Sequence, residues 1–385
     1  MKADAAAHAD GGGGLALRST RSSLASVVPL LTPQLLSSRD ALATLREHTA
    51  FRGLALVHVD EALRVPAWPP DGRGKRHAAF VYNPSVLDDD SSLLKVSTYS
   101  YCSVETAEPS RLRERALSFA SPREVARFRQ AGRPLTVAPN RWVVWKRHGR
   151  IQQVIRYAED PRAFRLDGRV HMLFTRRDLD GRKRVFLSVL EPEYAERALA
   201  YDGMRPTKDE TNWVPIVVNG TELFVSYSLC PKHIVLRCDP ASGQCTKAHQ
   251  TSAPSTCRVA SKAVSNLRGG SPMVPLSNAL VAVAHRKEAL GATLRAAVRA
   301  GPYIHHRYHH QLYAIAPQPP FAILALSEPF TFPAYFRNSS VSLVQFAAGA
   351  AVSRDALTLS YGVGDCAAFE VRVPLRDVVA ALGLG

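Results

Sequence analysis

Glu159-Asp160-Pro161-Arg162 sets two adjacent carboxylates ahead of a single guanidinium. Neighbouring carboxylates repel one another, and an Arg two residues on can neutralise only one of them. The other is free to carry a raised pKa and to act as a proton donor, so the motif offers general-acid chemistry. A bland alternative stands beside it, an ion pair between Glu159 and Arg162 where the chain enters a strand, because structural ion pairs perturb carboxylates too. What favours chemistry is recurrence. Asn83, Glu210-Thr211-Asn212-Trp213, Arg268-Gly269-Gly270-Ser271, His285 and Asp365 are polar residues beside apolar strand-like runs elsewhere in the chain.

The elements that must position these residues form a repeat. Asp167-Gly168 reads as a hairpin turn, since both residue types tolerate the positive φ of a tight turn. The same strand, polar turn and strand pattern occurs in five copies. The first is Ser85-Val86, Asp88 to Asp90, then Leu93 to Tyr99, with Ala78 to Val86 as its entering strand. The second is Ala163-Phe164, Asp167-Gly168, Val170 to Thr175, and the third Val214 to Val218, Asn219-Gly220, Leu223 to Tyr227. The fourth runs Pro272 to Pro275, Ser277-Asn278, Leu280 to His285, and the fifth Val344 to Val352, Arg354-Asp355, Leu357 to Tyr361. Strand-dominated self-similarity of this kind is what radial blades produce, so the expected fold is all-β, a five-bladed β-propeller; an irregular sandwich is the alternative. In a propeller the innermost strands converge on one axis, which gathers the polar residues into one site. A helical pattern over Arg111 to Gln130 reads as an insertion between the first two copies, and another helix is expected over Ser38 to His48. Residues 1–30 read as a disordered tail and 31–385 as a single propeller domain.

Composition bounds the function class. The chain has 385 residues, 46% of them hydrophobic, enough for a large core, and no apolar run long enough to span a membrane. The net charge of +16 draws in anions, but the basic residues are dispersed rather than striped with aromatics, which argues against nucleic acid. The acidic, Gly-rich N-terminus does not resemble a secretory signal, so a cytoplasmic location is expected, with the sequons at Asn219 and Asn338 unused. Cys238 and Cys245 flank a Pro-Ala-Ser-Gly turn and could meet across a hairpin; reduced thiols are the expectation for all six cysteines. No metal-ligand spacing is evident. In the run His305 to His310, strand alternation separates neighbours onto opposite faces, so an anion-facing edge of His305, Arg307 and Tyr308 is expected rather than a metal site. Trp142, Trp145 and Trp213 are expected in the core, and Tyr99 and Tyr101 could flank a glycan or simply pack.

Taken together, Glu159-Asp160-Pro161-Arg162, Asn212-Trp213, Arg268-Gly269-Gly270-Ser271-Pro272, His285 on Leu-Val-Ala-Val-Ala-His, Tyr308 and Tyr361-Gly362-Val363-Gly364-Asp365 resemble, in order and spacing, the β-mannoside phosphorylases of glycoside hydrolase family 130. The resemblance covers about residues 78–375 and looks closest to the trypanosomatid branch, the mannosyltransferase/phosphorylases of the β-1,2-mannan reserve mannogen. It implies a five-bladed propeller, Asp160 as the single catalytic acid, Arg268, His285 and Tyr308 around phosphate, and Asn83, Arg162, Asn212 and Asp365 around the sugar. The implied partners are β-1,2-linked mannose oligosaccharides with inorganic phosphate or mannose 1-phosphate, without cofactor or metal. Two departures from the family pattern matter. Arg268 stands where a Lys is usual, which keeps the charge and adds a bidentate fork. Thr211 stands where a basic residue is common, which removes one charge and opens GDP-mannose as an alternative donor. One acid opposite Arg, His and Tyr fits phosphorolysis, since an inverting hydrolase needs a second carboxylate to activate water. A non-catalytic glycan-binding propeller is the reading from another class, and Asp160 opposite an anion pocket argues against it.

Overall fold

The computed structural model describes residues 55–58, 80–88, 91–97, 141–147, 150–156 and 158–384, the last range without 179–180, 205–207, 258–263, 293–294, 296–303, 333–342 and 366. The tail, the helical patterns over Ser38–His48 and Arg111–Gln130, Tyr99, Tyr101 and the Asn338 sequon lie outside the described residues.

The fold is all-β, with its sheets in a propeller-like arrangement. β1 (Ala55–His58) is set apart from the strands that follow it in sequence. Sheet I then runs β2 (Phe80–Asp88), β3 (Ser91–Ser97), β4 (Arg141–Arg147) and β5 (Arg150–Arg156) in that order. Sheet II runs β6 (Glu159–Leu166), β7 (Arg169–Arg177), β8 (Lys183–Val189) and β9 (Ala195–Ala198). Sheet III holds β10 (Ala200–Tyr201), β11 (Val214–Val218), β12 (Glu222–Ser228), β13 (Lys232–Cys238) and β14 (Gln244–Ser252), with β10 parallel to β14 at the far edge. In sheet IV, β15 (Arg268–Gly269) and β16 (Val274–Leu276) both pair with β17 (Ala279–Ala289), followed by β18 (His306–Ile315) and β19 (Ile323–Leu326). Sheet V holds β20 (Gln345–Val352), β21 (Ala356–Val363) and β22 (Ala367–Pro374), and β1 pairs antiparallel with β22 to complete it.

Each predicted repeat falls on one hairpin: β2–β3, β6–β7, β11–β12, β16–β17 and β20–β21. The turns at Asp167-Gly168 and Asn219-Gly220 carry positive φ at both residues (52° and 72°, 51° and 74°), the geometry that matches strand twist in two-residue hairpins. Why the strands read as nearly continuous apolar runs is also clear. Alternate residues face opposite neighbours, and both neighbours are sheets. Met172 and Phe174 of β7 pack with Leu93, Val143 and Trp145 of sheet I, whereas Leu173 packs with Trp213, Leu223 and Val225 of sheet III. In sheet IV, Ala282 and Ala284 face Ile216 and Phe224 of sheet III, while Val281 and Val283 face Ala347, Leu359 and Tyr361 of sheet V.

Backbone contacts stitch successive sheets together. Asp167 N donates to Gly220 O (2.7 Å), and Ala163 N to Ser85 Oγ (2.8 Å). Sheets V and I meet where Ser360 Oγ donates to Pro84 O (2.7 Å) and accepts from Val86 N (3.2 Å). Gly349 permits that approach, because a Cβ there would lie 2.6 Å from Val86 N and 2.8 Å from Ser85 Cα. A helix not anticipated from sequence, α1 (Leu375–Leu382), follows β22 and buries Val378 and Leu382 against the sheet IV–V core. It ends on Gly383 in the left-handed region, whose N–H caps Ala380 O. No helix among the described residues is long and apolar enough to cross a membrane.

The expectation of reduced thiols is corrected. Cys238 and Cys245 sit opposite each other across β13 and β14, with Cα atoms 4.0 Å apart, and are disulfide-bonded. Cys230 and Cys257 form a second bond with Cα atoms 5.9 Å apart. The expectation rested on compartment, whereas the hairpin register and the loop packing of sheet III decide which sulfurs meet.

Candidate active site

Eight non-glycine residues among those described have positive φ. Asp167, Asn219 and Ser277 are hairpin turns and Phe321 lies in the β18–β19 connection. The other four are Asn83 (47°), Asp160 (51°), Asn212 (64°) and Asp365 (51°), and the sequence singles out every one of them as a candidate site residue. Asn83 and Asp160 lie in β2 and β6, Asn212 just ahead of β11, and Asp365 just past β21. Asn and Asp tolerate the left-handed region better than other side chains, yet each such residue still costs on the order of 1–3 kcal/mol, and strain of this kind persists where surrounding structure enforces it. At Asn83 and Asp160 the strand register also slips, between Tyr82 and Ser85 and between Glu159 and Arg162. A bulge of this sort re-aims a side chain that would otherwise stay in the plane of the pleat.

Asp160 Oδ1 accepts from Asn83 Nδ2 (3.1 Å) and from Lys95 Nζ (2.8 Å), both of sheet I. Lys95 is buried at 3% exposure, with its ammonium 4.8 Å from the Tyr82 ring centre. Burial opposes charge on Asp160, but Lys95, Lys183 and Arg162 outweigh it and hold the carboxyl well below the usual carboxylate range. Burial likewise opposes charge on Lys95, and Asp160, Asp365 and Glu159 overcome it, raising the lysine above its ordinary value. The expectation of a raised pKa at this motif is thereby corrected for Asp160. Its partner Glu159 pairs with Lys183 (2.8 Å), not with Arg162, so the strand-entry pair read from sequence is also corrected.

Arg162 ties three further sheets to this point. Its Nε donates to Gly270 O (2.5 Å) of sheet IV, Nη1 to Asp160 O (3.0 Å), and Nη2 to Asn212 Oδ1 (3.4 Å) of sheet III. The guanidinium lies over the ring of Phe346 of sheet V (5.5 Å), and burial draws its pKa down to about 10, which leaves it charged at neutral pH. With 1% exposure, Arg162 holds the site together from within. Asn212 is held further by donating to Thr211 Oγ1 (3.0 Å), and next to it Trp213 is core, its indole N–H bonded to buried Glu210 (3.1 Å).

The other half of the cluster sits on sheet IV. Arg268 pairs in register with His285, whose ring stacks on Tyr308 (5.7 Å) and meets the edge of Phe346 (5.2 Å). Burial, followed by the charges of His310, Lys287, Arg162 and Arg268, holds His285 well below the usual histidine range, so it is neutral, and its buried Nδ1 has no hydrogen-bond partner among the described residues. Asp365 acts electrostatically on both Lys95 and Lys287. All eight predicted residues are thus drawn into one connected cluster. The His-rich run divides as alternation requires, but Arg307 is not anion-facing: Arg307 Nε (2.5 Å) and His309 Nε2 (2.8 Å) both bond Glu288, and only Tyr308 turns to His285.

Sequence reasoning misses Lys95, Lys183 and Lys287. A signal for Lys95 exists: alternation puts it on the face of buried Leu93, where an unpaired lysine is not tolerated. The close fit around Asn83 gives a test. A Cβ at Gly362 would overlap Asn83 Oδ1 and lie 2.6 Å from Asn83 N. Gly362→Ala is expected to displace Asn83 from Asp160 and lower turnover roughly 10- to 100-fold, by analogy with other small displacements of positioned groups; turnover at the wild-type level in the folded variant would show that Asn83 does not position the acid.

No protein-family model matches the sequence, and no curated protein matches it. The fold, however, is shared with solved structures. A β-1,2-mannobiose phosphorylase from Listeria innocua, in complex with β-1,2-mannobiose, aligns with a TM-score of 0.54 over 87% of this chain and 100% of its own, at 12% identity. A mannose phosphorylase from Leishmania mexicana, in complex with phosphate ion, aligns with a TM-score of 0.50 over 87% of this chain and 92% of its own, at 10% identity.

Proposed function

We propose that the five sheets are the blades of one five-bladed propeller, closed by β1 on β22, and that the chain is an inverting β-1,2-mannoside phosphorylase/mannosyltransferase. The observation that carries this reading is the ionised carboxylate of Asp160, held by Asn83 and Lys95 and joined through Arg162 and Phe346 to the cationic and aromatic groups Arg268, His285 and Tyr308. Likeness of fold to mannoside phosphorylases, among them ones solved with β-1,2-mannobiose and with phosphate, supports the substrate class.

Asp160 serves as the acid in phosphorolysis and as the base in synthesis. Arg268, His285 and Tyr308 hold phosphate, while Asn83, Asn212 and Asp365 hold the sugar, with Arg162 fixing their relative positions. In synthesis, ionised Asp160 takes a proton from the acceptor hydroxyl as that oxygen attacks the anomeric carbon of mannose 1-phosphate. The bond to phosphate breaks and phosphate leaves with its charge met by the cations. In phosphorolysis hydrogen phosphate brings the proton, which passes through Asp160 to the glycan oxygen as the glycosidic bond breaks and a phosphate oxygen bonds to the anomeric carbon, because the resting enzyme holds Asp160 ionised.

A pH signature follows. The hydrogen phosphate dianion carries that one proton, so with ionised Asp160 kcat/KM for phosphate should hold steady as pH rises past the second phosphate pKa and fall about tenfold per unit below it, where the monoanion takes over. The rate of synthesis should follow the dianion of mannose 1-phosphate in the same way. A descent of phosphorolysis above the second phosphate pKa would contradict an ionised resting Asp160. Donor choice is tested by offering β-1,2-mannobiose with inorganic phosphate or as acceptor for GDP-mannose. Mannose 1-phosphate from the first is the expected result; elongation only from GDP-mannose would replace the phosphorylase with a nucleotide-sugar transferase.

A further inference from the structure

Lys287 is a cation that the reading above leaves without a task. It lies two residues after His285 on β17, on the same strand face, with its ammonium 5.0 Å from the ring centre of Tyr308. Its backbone is pinned on both sides by Ser265: Lys287 N donates to Ser265 Oγ (2.8 Å) and Lys287 O accepts from Ser265 N (2.8 Å). Among the described residues it has no carboxylate within ion-pairing distance, and neither does Arg268, whereas Lys95 is paired with Asp160 and Lys183 with Glu159.

Lys287 is in the electrostatic field of Arg268, Asp160, Lys183 and Asp365. The set connected in this way contains the cations Lys95, Arg162, Lys183, Arg268 and Lys287 and the carboxylates Glu159, Asp160 and Asp365. Among the described residues, the five cations and three carboxylates of this set leave a surplus of two positive charges, which suits a phosphate dianion. His285 adds none, being neutral, and contributes instead a buried ring nitrogen without a partner beside the two unpaired cations.

We propose that Lys287 and Arg268 together form the anchor for a phosphate dianion, inorganic phosphate or a sugar 1-phosphate, with Lys287 closing the site on the Tyr308 side. This rests on the phosphorylase reading and deepens it by naming the residue that supplies the second unpaired charge. Burial, then Arg268, keeps the ammonium below the usual lysine range while Asp160 and Asp365 oppose the shift. The protonated amine therefore sits in a field already positive, which an arriving dianion relieves.

Lys287→Met keeps the length of the stem and its packing on Tyr308 while removing the charge. Binding of inorganic phosphate to the full chain is followed by calorimetry and by the phosphate-dependent rise in thermal midpoint, with β-1,2-mannobiose binding as the control. Losing one charge-assisted hydrogen bond should weaken phosphate roughly 10- to 100-fold. Mannobiose binding should be unchanged, and Lys287→Arg should retain most of the phosphate affinity. The ligand-free Lys287→Met protein should unfold no earlier than wild type, since it loses a cation that had no carboxylate partner. Unchanged phosphate affinity in Lys287→Met, with affinity lost in Arg268→Met, would overturn the role of Lys287 and leave the phosphorylase reading standing. Absence of phosphate binding to the wild type would overturn both.

Discussion

Asp160→Asn is expected to lower both phosphorolysis and synthesis by on the order of 10²–10⁴-fold, the usual contribution of a positioned acid–base group. It should also destabilise the fold. Asn cannot balance the Lys95 ammonium, which is 3% exposed and bonded at 2.8 Å to the carboxylate that would be lost. Removing one partner of a buried ion pair typically costs about 3–5 kcal/mol, whereas replacing both can be nearly neutral. Adding Lys95→Met to Asp160→Asn should therefore recover most of the stability and none of the activity. Thermal unfolding and turnover on the two variants separate these effects. Activity that returned with stability would assign Asp160 a structural role alone.

The second large effect concerns acid. Burial draws His233 down to about 4 and His310 to about 3, and it holds His285 well below the usual range. All three are neutral in the folded protein, while an unfolded histidine titrates near pH 6.5. Between those values the unfolded chain binds more protons, so stability is full above about pH 6.5 and is lost as pH falls below it. Each histidine costs roughly 1.4 kcal/mol per pH unit across that window, so at pH 5 His233 and His310 together remove on the order of 4 kcal/mol, a large share of a typical folding free energy, and His285 acts in the same direction. Asp160 contributes in the opposite sense. Its depressed pKa stabilises the fold above the unfolded carboxylate value near 4, and that stability goes only as pH falls further. Acid unfolding should consequently begin between pH 6 and 4. His310, edge-on to Phe332 (4.6 Å) and close to Phe330 (5.9 Å), tests the cause. His310→Phe should gain roughly 2 kcal/mol more at pH 5 than at pH 7.5 in denaturant unfolding. An equal change at both pH values would mean that packing, not titration, accounts for it.

The hairpins were legible because their turns are local chemistry. Asp167-Gly168 and Asn219-Gly220 announce positive φ within two adjacent residues. Asn83, Asp160, Asn212 and Asp365 were legible as polar interruptions of apolar strands, and their left-handed backbone supplies a structural reason for those residue types. What could not be read is what depends on a neighbouring sheet. Lys95 is 65 positions from Asp160, so the motif's own Arg looked like its only counter-ion, and the direction of the carboxyl shift came out reversed. Arg307 looked free for an anion because Glu288 faces it from the adjacent strand, across a register that sequence does not specify. The Cys238–Cys245 pairing was legible as two cysteines flanking a turn, but their oxidation depends on the register of β13 and β14, which composition does not specify.

The most direct test of the central claim is to incubate the protein with β-1,2-mannobiose with and without inorganic phosphate, following mannose and mannose 1-phosphate separately. Mannose 1-phosphate of inverted, α configuration is expected, formed in proportion to phosphate and abolished in Asp160→Asn. Mannose released at the same rate without phosphate, which would require a water-activating carboxylate, would contradict it.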